Sequence, residues 1–109
     1  MITYPNETNT AVKEFKAEIK KLYGNRFKRV ILYGSWARGE GGADSDVDLM
    51  VILKGGVAPG KEIDRMIDII TEINLKYNTL LSVYPIAEKE YTALNTPLLM
   101  NVRREGVPS

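Results

Sequence analysis

The stretch from Val30 to Leu53 leaves this chain few ways to fold. Four apolar residues, Val30, Ile31, Leu32 and Tyr33, run straight into Gly34-Ser35-Trp36-Ala37-Arg38-Gly39-Glu40. After a glycine-rich bend the chain resumes as Asp44-Ser45-Asp46-Val47-Asp48 and then the apolar run 49–53. Neither apolar run alternates, as expected of strands covered on both faces. Residues 34–46 are too few for a long crossover, so strands at 29–33 and 47–53 are expected to be antiparallel neighbours. Residues 36–38 are expected to open a short helix between them.

The flanking segments supply helices. Val12, Phe15, Ile19, Leu22 and Tyr23 recur at helical spacing after Thr8 or Asn9, either of which suits a cap, and Gly24-Asn25 suits the end. Beyond the flexible connector 54–60, Ile63, Met66, Ile67, Ile70, Ile73 and Tyr77 form one apolar stripe on a second helix. Asp64, Arg65, Asp68, Glu72 and Lys76 are expected on its wet side. A third strand at 79–84 is expected to close at Pro85, which suits a strand end. Two short helices follow at 88–94 and 96–105, with Thr96-Pro97 as cap and first position and Gly106 as the stop. The expectation is one α/β (α+β) domain over 1–109, with a small mixed sheet flanked by helices.

Composition narrows the chemistry. The chain of 109 residues contains no cysteine and no histidine, which removes thiol nucleophiles, Ser-His triads and zinc fingers. Carboxylates, hydroxyls, amines and guanidinium groups remain, and among cofactors these suit hard cations, Mg2+ ahead of Ca2+ where phosphates complete the shell. A net charge of +1 carries no signature of nucleic-acid binding. The basic cluster Lys20, Lys21, Arg26, Lys28 and Arg29 is most simply a helix end with a solvated face. No apolar run is long enough to span a membrane, and the polar N-terminus is no signal peptide, so a cytoplasmic protein is expected.

The two halves of the central stretch explain one another. On a strand, residues two apart share a face, so Asp46 and Asp48 lie side by side at about 6.5–7 Å between α-carbons. Carboxylates so placed repel, and a cation keeps them ionised together. Gly34 allows close backbone approach and Ser35 offers a hydroxyl and an N–H, which suits a triphosphate beside that cation. The matching chemistry is in-line attack of a hydroxyl on the α-phosphorus. Asp44 suits an outer-shell role and a turn cap equally. Arg38 suits phosphate, or more simply a structural ion pair. Trp36 suits either a lip over the nucleotide or a core anchor. Tyr84, Tyr91, Arg103 and Arg104 suit an acceptor or partner surface, but each alone reads more simply as packing or helix-end charge.

Gly34-Ser35-x-x-Arg38-Gly39-Glu40 followed by Asp44-Ser45-Asp46-Val47-Asp48-Leu49 resembles the signature of the DNA polymerase beta-like nucleotidyltransferase superfamily, in particular its minimal nucleotidyltransferases. The resemblance implies a polymerase beta palm-like mixed sheet, Mg2+ held by Asp46 and Asp48, and ATP or another nucleoside triphosphate contacted by Gly34, Ser35 and Arg38. It also implies an antitoxin partnered by a HEPN-domain toxin, to which some members transfer AMP. The resemblance further implies a third carboxylate on the later strand, at the place matched here by Ser82. Serine is no general base near neutral pH, and such help is worth roughly 10²–10⁴-fold.

Two functions therefore stand at this point. One is a Mg-dependent nucleotidyltransferase acting on a hydroxyl of a partner macromolecule. The other is a catalytically weakened module that binds nucleotide or neutralises a partner by contact. A domain this small is expected to complete its cleft with a second subunit, as a homo-oligomer, or with a separate partner.

Overall fold

The computed structural model describes residues 6–42 and 46–109. Helix α1 (Asn6–Tyr23) passes through a 3-10 turn (Gly24–Arg26) into strand β1 (Phe27–Tyr33), and β2 (Val47–Leu53) follows. Helix α2 (Pro59–Tyr77), β3 (Leu81–Ala87), α3 (Glu88–Ala93), α4 (Pro97–Glu105) and a two-residue β4 (Val107–Pro108) complete the order. The sheet order is β3-β2-β1-β4. β1 pairs antiparallel with β2 and β4, while β2 and β3 run parallel. The expected mixed sheet and the antiparallel β1–β2 neighbours are both present.

Strand parity divides the core into two layers. Val30, Leu32, Val47, Leu49, Val51 and Leu53 face α1 and α2, where they meet Phe15, Ile19, Met66, Ile70 and Ile73. Ile31, Met50, Ile52 and Ile86 face the other way and are covered by Tyr91, Leu99 and Val102 of α3 and α4. Each large apolar side chain so buried contributes roughly 1.5–3 kcal/mol. Both faces of β2 are thus covered over most of its length, which is why residues 49–53 show no alternation.

Four expectations need correction. Residues 36–38 do not open a helix: residues 35–39 form a single turn, closed by Arg38 N–H to Gly34 O at 3.2 Å and Glu40 N–H to Ser35 O at 2.8 Å. Gly39, at φ +76°, turns the chain out of the helical path after that turn. Secondly, Pro85 does not close β3 but lies within it, opposite Val51. β3 is an edge strand, and an edge tolerates a residue with no N–H. Thirdly, Ile67 is 46% exposed, and Ile69 rather than Ile67 flanks the buried line Met66, Ile70 and Ile73. Finally, Thr8 and Asn9 lie within α1, so neither is its cap.

The cap at the last helix is as expected, with Thr96 Oγ1 accepting from Leu99 N–H at 3.2 Å and Pro97 in first position. Arg103 donates to the carbonyls of Tyr91 and Leu94 and to Asn95, tying α4 to the end of α3. It is therefore structural, as is the buried Tyr91. Among the described residues no helix is long and apolar enough to cross a membrane.

Candidate functional site

Beyond Ile31, Met50 and Ile86 the layer of α3 and α4 gives way, among the described residues, to an exposed end of the sheet face. The register places three side chains there in one cross-strand row: Tyr33 on β1 opposite Asp48 on β2, and Asp48 opposite Ser82 on β3. Parity points all three the same way, because Ile31, Met50 and Ile86 on the same strands belong to that layer. Ser82 is exposed, Asp48 and Tyr33 are half-buried, and Tyr84, two residues beyond Ser82, is 42% exposed. Asp46 lies exposed just ahead of β2.

Above this row lies the turn that follows β1. Gly34 adopts φ +74°, and a Cβ built on it would overlap Oδ2 of Asp48. Only glycine combines that left-handed backbone with so close an approach. Gly34 and Asp46–Asp48, predicted from separate motifs, are thus brought to one place, with Ser35 next to them. Asp44 lies outside the described residues.

Electrostatics mark the pair. The Asp48 carboxyl is held above the ordinary carboxylate range, first by burial and then by the charge of Asp46, with Arg38 offsetting part of the rise. The Tyr33 phenol is pushed up to about 12, chiefly by burial and next by the neighbouring Asp48 carboxylate. A hard cation between Asp46 and Asp48 would relieve their repulsion, and two oxygen donors with the rest of the shell left to phosphate and water is a donor set that suits Mg2+.

The other predicted residues divide clearly. Arg38 is exposed and pairs with Glu40 at 3.3 Å and Glu105 at 3.8 Å, the structural arrangement rather than a contact with the aspartates. Trp36, 5% exposed, is a core anchor and not a lip over the site. Gly41 packs against its ring so closely that a Cβ there would overlap it. The basic cluster does not act as a unit: Arg26 donates to the carbonyls of Lys54 and Gly56, and Arg29 lies over the Tyr91 ring. Sequence reasoning overlooked Tyr33 as a neighbour of the site, although pairing β1 with β2 in antiparallel register would have found it.

The chain as a whole resembles known proteins. A family model described as a nucleotidyltransferase domain matches residues 12–101. The Methanocaldococcus jannaschii protein named "Putative protein adenylyltransferase MJ0604" is 34% identical over 97 residues, 88% of this chain and 91% of that protein. Among solved structures, one chain of "Crystal structure of the toxin-antitoxin with AMP-PNP" superposes with a TM-score of 0.61 at 13% identity, covering 95% of this chain and 72% of that one. "Structure of putative minimal nucleotidyltransferase" gives a TM-score of 0.59 at 20% identity, covering 98% and 99%. At such identities the two structures speak for the fold.

Proposed function

Because the chain belongs to the nucleotidyltransferase domain family, we propose that it transfers a nucleoside monophosphate, AMP from ATP, to a hydroxyl of a partner macromolecule in a Mg2+-dependent reaction. The observation that carries this reading is the packing of Gly34 against Asp48, which joins the turn after β1 to a carboxylate pair. Asp46 and Asp48 would hold Mg2+, which when bound neutralises charge on the phosphates and on the attacking and leaving oxygens. Gly34 and Ser35 bring the backbone close to the triphosphate. Arg38, at the rim, reaches phosphate by exchanging Glu40 and Glu105 for it. The acceptor hydroxyl, releasing its proton to solvent, bonds through oxygen to the α-phosphorus as the bond from that phosphorus to the bridging oxygen breaks and pyrophosphate leaves.

The partner in this reading is a toxin, of the HEPN class implied by the sequence resemblance, and the chain is its antitoxin. The names of the related proteins support the acceptor and partner classes: one is a protein adenylyltransferase by name, and another belongs to a toxin-antitoxin complex with AMP-PNP. A second reading rests on Ser82. It stands beside Asp48 where a third carboxylate would complete the site, and its hydroxyl cannot accept the acceptor's proton near neutral pH. The reading is then of a weakened site that binds nucleotide while the chain neutralises its partner by contact.

Calorimetry of ATP with Mg2+ tests the site, comparing the wild-type chain with an Asp46→Asn, Asp48→Asn double variant. The expected result is binding by the first and none by the second; equal binding by both would remove these residues from the site. Transfer of label from ATP to the partner then separates the enzyme from the binding module.

A further inference from the structure

On the sheet face away from Asp48 lies a cavity of about 430 Å3 between α1 and β4. Its floor is aliphatic, from Val12, Leu32 and Val107, exposed Ala17 lies on its wall, and its rim carries Lys13, Lys16 and Lys20 at i, i+3 and i+7 of α1. Lys16 donates to the carbonyl of Ser109, and Lys20 lies over the Phe27 ring. The ion pairs of α1 are Lys21 with Glu18 and Lys76 with Glu14. Among the described residues neither Lys13 nor Lys20 has an acidic side-chain partner. None of this is used by the nucleotide site, which opens on the opposite face.

We propose that this groove docks an acidic amphipathic helix of a partner protein, with apolar side chains in the aliphatic floor and carboxylates against Lys13 and Lys20. Charge complementarity selects the occupant. An isologous second copy would bring lysine rim against lysine rim, which repels. Nucleic acid is a poor fit, because the lining has neither an aromatic face for stacking nor an arginine fork. Strand addition is also disfavoured, since Pro108 leaves the outer edge of β4 without an N–H at that position. A helix that lays an apolar stripe into a groove needs no such donor.

The test does not depend on nucleotide transfer. A phage-displayed peptide library is selected on the full chain, with a chain carrying Ala17→Trp, which fills the groove, as counter-selection. The selected peptides are expected to combine Asp or Glu with Leu, Ile or Phe at helical spacing. Their affinity is expected to fall roughly tenfold or more on Ala17→Trp and on Lys13→Glu, Lys20→Glu, and to weaken with added salt. Both lysine changes are at exposed positions, so that variant carries the result if Ala17→Trp melts early. The proposal is overturned if no acidic-apolar pattern emerges, or if the selected peptides bind the lysine variant as well as wild type. It is equally overturned if the lysine change abolishes self-association in sedimentation or binding of a single-stranded RNA oligonucleotide, either of which would assign the groove to another occupant.

Discussion

The α-carbon of Gly34 and the carboxylate of Asp48 touch, with no room for a methyl group between them. Two motifs separated by a bend are thereby locked into one site, and the lock depends on a residue with no side chain. Gly34→Ala is expected to lose stability by roughly 1–3 kcal/mol through left-handed strain and overpacking. It should also lose Mg2+-dependent ATP binding, because the added methyl displaces Asp48. Urea denaturation and calorimetry on the same variant check both; full binding with unchanged stability would mean that the turn and the carboxylate are not coupled.

Asp48 without a cation is under electrostatic load. Burial and Asp46 raise its pKa in the folded state. A raised folded pKa means that its contribution to stability is fully present below the unfolded value, about 3.8, and is lost as pH rises through the folded value. Asp48→Asn removes that loss, so in metal-free buffer at neutral pH the variant is expected to melt no lower than wild type. The two should converge as pH falls. Added Mg2+ with ATP is expected to raise the melting temperature of wild type alone.

How much of this was legible in the sequence follows from what each residue depends on. Sheet strands and flanking helices could be read because apolar periodicity and turn chemistry are local, whereas the packing of Gly34 on Asp48 joins two strands and comes only from the fold. Ile67 could not be placed, since Ile63, Ile67 and Ile69 all border the buried line Met66, Ile70 and Ile73, and only packing decides which isoleucine stays wet. Pro85 misled because its meaning depends on whether β3 is an edge strand, which is a property of the whole sheet. Glu62 gave no signal at all: it is buried in α2, where Tyr23 donates to it at 2.9 Å from the far end of α1. The family was legible in the motif, whereas an acceptor was not, because an exposed sheet face carries no spacing pattern that names what binds it.

The Tyr23–Glu62 contact ties α1 to α2 away from the site. Tyr23→Phe leaves a buried carboxylate without its nearest donor, and is expected to cost roughly 1–3 kcal/mol without altering ATP binding. Tyr23 and Tyr33 are both pushed up to about 12, in each case chiefly by burial. The stability that their protonated phenols give is fully present below about 10, the unfolded value, and is lost as pH rises through about 12. Ultraviolet titration is expected to show that Tyr23→Phe loses one late-ionising phenol relative to wild type.

Ser82 separates the two readings of function. It lies opposite Asp48 on β3, exposed and on the same face, so Ser82→Asp adds a third carboxylate to the row without disturbing the core. In metal-free buffer the added charge repels Asp48 and Asp46, and the variant is expected to melt below wild type; Mg2+ is expected to reverse that difference. If the site is a weakened transferase, the same change is expected to raise transfer to the partner by 10²-fold or more, about the lower end of what a general base supplies. Melting curves with and without Mg2+, and labelled transfer measured side by side, check the two parts independently. A variant that gains Mg2+ affinity but no transfer would leave nucleotide binding intact and point to neutralisation by contact.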